Sequence, residues 1–175
     1  PGGPGAAGEA RFRLLETVRE YALERLEQRG EAAAVRRRHA AYVLALAERA
    51  EPELSGPAAP AWLDRLEQEL PEVRAALAWA VEQGDGSLGL RLVGALAWAC
   101  SLRPWTSEGV AWLTAVLPAG RRPPGVPPSA ALAKVLRLAG HQARQRGDFA
   151  AARARFGEQL AVAEEAGDPS GAAWA

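Results

Sequence analysis

The sequence has no methionine, isoleucine or asparagine, and its 175 residues include one cysteine, Cys100, and two histidines, His39 and His141. Each shortage excludes a class of chemistry. A lone cysteine forms no intramolecular disulfide and anchors no cysteine-based metal cluster. Two histidines far apart in sequence supply too few ligands for a His/Cys metal site and set up no His-based catalytic triad. No uncharged apolar run approaches the ~18 residues of a membrane-crossing helix. The opening PGGPGAAGEA has neither the basic start nor the apolar core of a secretory signal, so we expect a cytoplasmic protein. The 21 basic and 21 acidic side chains cancel. That leaves no electrostatic footprint for a nucleic-acid backbone, and we expect no direct nucleic-acid binding by this segment. The lack of methionine even at position 1 leads us to expect a piece of a longer protein.

What is present favours helix. Forty residues are alanine, and 20 arginines stand against a single lysine, a bias typical of translation from a GC-rich genome. Leucine, glutamate and glutamine are also helix formers, while β-branched residues are scarce. An all-α fold is expected, with a short strand over Arg11–Leu15 from the alternation in RFRLL.

Residues 1–10 are read as a flexible lead-in. The first helix is expected from Thr17, with Thr17 and Glu20 at capping-box spacing and Val18, Ala22 and Leu26 on one face. Gly30 stops it. A second helix runs from about Glu31 to Leu54, with Val35, His39, Tyr42, Val43, Leu46 and Ala50 at helical spacing. After SGPAAP come a short helix carrying Trp62, Leu63 and Leu66, and a fourth opened by Pro71 with Val73, Leu77 and Val81 inward. Ser87 is expected to cap a fifth helix, about 88–102, that is apolar nearly all round and therefore central. A sixth spans about Thr106–Leu117. Beyond the proline-rich stretch Pro118–Pro128, a seventh starts near Ser129. The turn Gly147–Asp148 leads into an eighth, with Phe149, Ala152, Phe156, Leu160 and Ala163 inward. Asp168–Pro169 announces a further helix that the chain does not complete.

Pairing the helices exposes an internal repeat. Shifted by 43 residues, SEGVAWLTAVL (107–117) lies on AAARARFGEQL (150–160) without a gap, placing Gly109 on Ala152, Leu113 on Phe156 and Leu117 on Leu160. Helix hairpins recurring at this length stack into an α-solenoid, because no hairpin buries its own face. The last pair resembles a tetratricopeptide repeat: Gly140, Ala152, Phe156 and the turn Gly147–Asp148–Phe149 match that pattern, while Ala143 and Gln159 depart from it. A right-handed solenoid of antiparallel hairpins is the expectation.

A second resemblance is carried by RFRLLETVREYALERL (11–26), RHAAY (38–42), WLDRLE (62–67) and VRAAL (73–77). Together they resemble the linker region of large bacterial signal-transduction ATPases of the AfsR/LuxR-like and MalT-like kind, which regulate transcription. The resemblance implies that residues 1–16 are a lead-in and the tail of a preceding winged-helix subdomain. It makes 17–86 a helical linker bundle and 87–175 tetratricopeptide-like repeats. It also implies upstream ATPase and winged-helix domains in cis that bind ATP or ADP, with no cofactor in this chain. Where the related ATPases carry a Met-His-Asp motif, this chain has Leu14–Leu15–Glu16. Leu15 cannot contact a phosphate, so only Glu16 and Arg19 are left as a nucleotide-sensing remnant, against a plain packing role for Leu14, Leu15 and Val18.

Nothing here assembles an enzyme. No phosphate-binding loop of the Walker type occurs. Glu67/Glu69 and Glu164–Glu165 point different ways on their helices. Cys100 sits on the most apolar helix, where a thiol is inert. Arg36–Arg37–Arg38 lies among acids as a solvated face. His39 is expected as a hydrogen-bonded core residue, and the six tryptophans as core fillers. The one patterned stripe is on the seventh helix: Lys134, Arg137, His141 and Arg144, with Arg91 and Trp98 at equivalent positions one hairpin earlier. A basic groove beside an aromatic suits a protein partner or acidic effector held by charge-assisted hydrogen bonds. The competing readings are a solvated face, or pairing of the stripe with Glu158 or Glu164. A free-standing repeat adaptor without an ATPase is the alternative to the regulator. Self-association is expected of an uncovered last hairpin.

Overall fold

Glycine, proline and short polar side chains set the helix limits. The computed structural model describes residues 16–103, 105–117 and 128–168, and among these the chain forms helices and no strand. They are α1 (Glu16–Gln28), α2 (Ala32–Glu53), α3 (Ala59–Gln68), α4 (Leu70–Glu82), α5 (Gly86–Leu102), α6 (Thr106–Val116), α7 (Ala130–Gln145) and α8 (Phe149–Glu165). The expected all-α fold is therefore found. The strand expected at Arg11–Leu15, most of the proline-rich stretch and the helix after Pro169 lie outside the described residues.

Side-chain caps start three of the helices. Asp85 accepts from the Leu88 N–H at 3.0 Å, Ser129 from Leu132 at 3.2 Å and Asp148 from Ala151 at 2.9 Å, each satisfying a first-turn donor that has no partner within the helix. Ser87 is thus not the cap of α5. The carboxylate two residues earlier takes that role, and Ser87 falls inside the first turn. Thr17 likewise lies within α1 rather than ahead of it. Pro60 and Pro71 sit in the first turns of α3 and α4, where a missing N–H does no harm. At Gly147 the chain needs φ of 79° to reverse between α7 and α8, a left-handed value that a side chain disfavours.

α5 is central, as its all-round apolar surface requires. It packs on α2, α4, α6 and α7. Leu92, Val93, Leu96 and Ala99 are fully enclosed within one hydrophobic cluster that runs from Ala40 on α2 to Ala163 on α8. α2 also packs on α4, with α3 against both, and α7 packs most extensively on α8. The helices α2, α5 and α7 therefore lie side by side. Trp62, Trp79, Trp105 and Trp112 are buried core fillers, whereas Trp98 is half-buried.

The α7–α8 hairpin closes on one glycine. A Cβ built at Gly140 would stand 2.6 Å from Phe156 Cε1, so only hydrogen fits beneath that ring. Several residues expected inward are not. Phe149 is 71 % exposed, Val81 52 % and Leu160 37 %. Phe149 is the first residue of α8, beside the hairpin turn, and among the described residues no third element covers it. With Leu160 it leaves α8 an apolar outer surface. The chain is therefore expected to self-associate at high concentration. Sedimentation should show this for the unaltered chain and a monomer for Phe149→Ser with Leu160→Ser.

Candidate binding groove

The 43-residue period that relates α5 to α7 also reaches back to α2. Glu48, Arg91 and Lys134 occupy matching positions, so the three helices present them along one face. Arg91 Nη2 and Nε donate to Glu48 Oε1 at 2.7 and 2.9 Å, tying α5 to α2. Lys134 Nζ lies 2.5 Å from Glu51 Oε1, tying α7 to α2. Between them α5 carries Gly94, where a Cβ would stand 3.1 Å from the Ala131 carbonyl oxygen. The missing side chain lets α5 and α7 approach closely, and Gly94 lines a small cavity of about 210 Å³ shared with Glu48, Glu51, Arg91 and Lys134.

Next to it, a cavity of about 770 Å³ opens between the C-terminal end of α2, α5, α7 and α8. Trp98, Pro52, Ala130 and Ala133 give it apolar walls, while Glu51, Asp168, Lys134, Arg137, Ser55 and Gln159 supply polar groups. Arg137 is half-buried. Desolvation lowers its pKa from the ordinary value, and the Glu51 carboxylate works in the opposite direction.

The structure divides the six groove residues named from the sequence. Trp98, Lys134 and Arg137 meet at the larger cavity, and Arg91 joins Lys134 at the smaller one. His141 lies outside both, its ring edge-on to Phe156 with centroids 5.4 Å apart. Arg144 Nη2 is 3.5 Å from His141 Nδ1. Glu158 pairs with Arg155 on its own helix at 3.0 Å, and the face is partly neutralised by Glu48 and Glu51 of α2. Those two were discoverable, since adding 43 to each number gives Arg91 and Gly94. Glu16 and Arg19 fall in the first turn of α1, and their side chains lie outside what the structure describes.

His141 is depressed below its ordinary 6.5, first by burial and then by Arg144 and Arg137. A histidine whose folded pKa is lowered takes up its proton more readily in the unfolded chain. Its contribution to stability is complete above about pH 6.5 and is lost as the pH falls below that value. Acidification should lower the melting temperature of the unaltered chain more steeply than that of His141→Gln, as read by circular dichroism between pH 7.5 and 5.

Elsewhere several titratable groups pair between helices. His39 is hydrogen-bonded as expected, its Nε2 lying 2.8 Å from Glu72 Oε2, but it is half-exposed between α2 and α4 rather than in the core. Arg74 pairs with Glu108 and Arg103 with Asp64. Burial pushes the Cys100 thiol up to about 12, far above the range in which a thiolate reacts. Cys100 should therefore resist a thiol reagent at pH 8 in the native chain and be modified only on unfolding. Among the described residues no group of three His, Cys, Asp or Glu is placed to hold a metal ion, and no helix is long and apolar enough to cross a membrane.

No protein-family model matches the chain, and no solved structure matches it. Among curated proteins, it is 40% identical over 113 residues to an HTH-type transcriptional regulator of Mycobacterium bovis and, to the same extent, to one of Mycobacterium tuberculosis. The similarity takes in 63% of this chain and 12% of each relative, so the chain spans about an eighth of the length of the regulators it matches.

Proposed function

We propose that this chain is the helical repeat segment of a larger transcriptional regulator, and that it binds a protein or effector and passes the outcome to the rest of that protein. The 40% identity to a short stretch of much longer transcriptional regulators supports a regulatory role. The observation that carries the binding role is the cavity where Trp98, Lys134 and Arg137 converge from α5 and α7. A pocket of that size with apolar walls and a few polar groups is what a ligand site looks like. The packing of α2, α5 and α7 in a row, with α4 and α6 behind, supports a tetratricopeptide-like right-handed solenoid continuing the linker 17–86 into repeats from 87 onward. In this reading, supported by the resemblance to AfsR/LuxR-like ATPases, ATP or ADP, the winged helix and their chemistry belong outside this segment, in a cytoplasmic protein.

In this reading the segment itself neither hydrolyses nucleotide nor binds DNA. ATP turnover by the purified chain, or a salt-sensitive shift of a duplex at micromolar concentration, would remove those two parts. The binding role is tested in the full-length regulator with a transcriptional reporter. Lys134→Gln with Arg137→Gln should abolish the response to the inducing condition while helix content is kept. A normal response from that folded double variant refutes the groove.

A further inference from the structure

The ion pair between Lys134 and Glu51 joins two helices that stand on opposite sides of α5. Glu51 comes from the last turn of α2 and lies at the junction of the two cavities, facing both Lys134 and Arg137. Glu51 thus occupies the cationic corner of a cavity whose other wall is Trp98, and Asp168 is a second carboxylate on its lining. The pair is partly open to solvent, with side-chain exposures of 36% and 27%. Ion pairs of that kind contribute little to stability, so a second carboxylate replaces the first at small cost when it brings contacts of its own.

We propose that the cavity takes a small organic carboxylate, which displaces Glu51 from Lys134 and lays its apolar body against Trp98, Ala130 and Ala133. Binding then releases the end of α2 from α7. This rests on the effector-binding reading above and names the chemistry of the effector. Glu51 acts as an internal competitor: it holds the site closed to weak anions and links occupancy to the helix that leads back toward the N-terminal side of the chain. The roughly 770 Å³ of space exceeds what a bare inorganic anion fills, and the indole and alanine walls favour a ligand with an apolar part.

The test uses the whole chain and three probes, benzoate, its neutral isostere benzamide, and inorganic phosphate, followed by NMR shifts of the Trp98 indole N–H and the Gly94 and Ala131 amides. Benzoate is expected to shift these signals saturably at millimolar concentration, with benzamide and phosphate much weaker. Glu51→Gln should tighten benzoate about fivefold, the equilibrium weight of an exposed ion pair of ~1 kcal/mol. Lys134→Ala should weaken it about tenfold. Hydrogen exchange of the last-turn amides of α2 should quicken when benzoate is added. Benzoate binding that is indifferent to both substitutions, or that leaves α2 exchange unchanged, overturns the displacement while leaving the effector-binding role in place. Absence of benzoate binding by both the unaltered chain and Glu51→Gln overturns the carboxylate assignment; the reporter experiment with Lys134→Gln and Arg137→Gln separately decides whether the groove binds anything.

Discussion

Gly140→Ala should destabilise the chain by about 2 kcal/mol, although alanine is the better helix former by ~1 kcal/mol. The new methyl would stand 2.6 to 2.9 Å from three ring atoms of Phe156, too close for a carbon contact, so the ring or the spacing of α7 and α8 has to give. Overpacking of that kind typically costs ~1–3 kcal/mol; we take the upper end and subtract the propensity gain. The control is on the other helix of the same hairpin. Nothing lies within 4 Å of a Cβ at Gly157 on α8, so Gly157→Ala should stabilise by about 0.5–1 kcal/mol. In a Phe156→Ala background the clash is gone, and Gly140→Ala should change sign and become stabilising. Urea melts of the four variants measure all of this. Equal effects of Gly140→Ala with and without the ring would rule out the close α7–α8 approach.

The second large effect is at α5. Leu92 is fully buried on the helix that touches α2, α4, α6 and α7. Truncation to alanine removes apolar contacts on several sides, and the surrounding helices, each held by other neighbours, cannot all move in to close the gap. Leu92→Ala is expected to cost about 3–4 kcal/mol, within the ~2–5 kcal/mol range for enclosed leucines. Leu102→Ala on the exposed end of the same helix should stay within about 0.5 kcal/mol. A loss below about 1 kcal/mol for Leu92→Ala would mean that α5 is not enclosed as described.

Helix content, helix limits and the central place of α5 were legible in the sequence because they depend on local chemistry. Proline and glycine mark the ends, and a helix apolar all round has to be covered all round. The close approach of α7 and α8 at Gly140 was legible for a different reason, although that the ring over this glycine belongs to Phe156 was not. A hairpin that brings two helices that close leaves its own pattern of small and large residues. What periodicity shows is which side of a helix is apolar, not which neighbour covers it. Phe149 has the spacing of a core residue but sits at the very start of α8, past the end of α7. Val81 has the spacing too and remains half-exposed. The groove was half legible. The cations on α7 could be read from their spacing of three and four, whereas Glu48 and Glu51 reach them only through the side-by-side placement of α2, α5 and α7. That placement is tertiary; a stripe on one helix carries no sign of it, and the sequence signal for it is the 43-residue repeat carried back to α2. The choice of Asp85 over Ser87 as cap turned on where the turn after α4 closes, which two capping residues so close in sequence leave open.

The four-sided contact of α5 sets an order in which the molecule comes apart. An amide in the middle of α5 meets solvent only when α2, α4, α6 and α7 have all let go, so its exchange with deuterium follows the opening of the whole core. α1 touches the rest mainly through α2 and exposes Val18 and Tyr21, so it can fray without disturbing that core. α8 leans chiefly on α7 and can lift away next. A stack of hairpins is free in principle to unzip from either end. Here the two ends differ in grip, and the last protected signals should come from the stretch around Leu92 to Leu96, whichever end opens first.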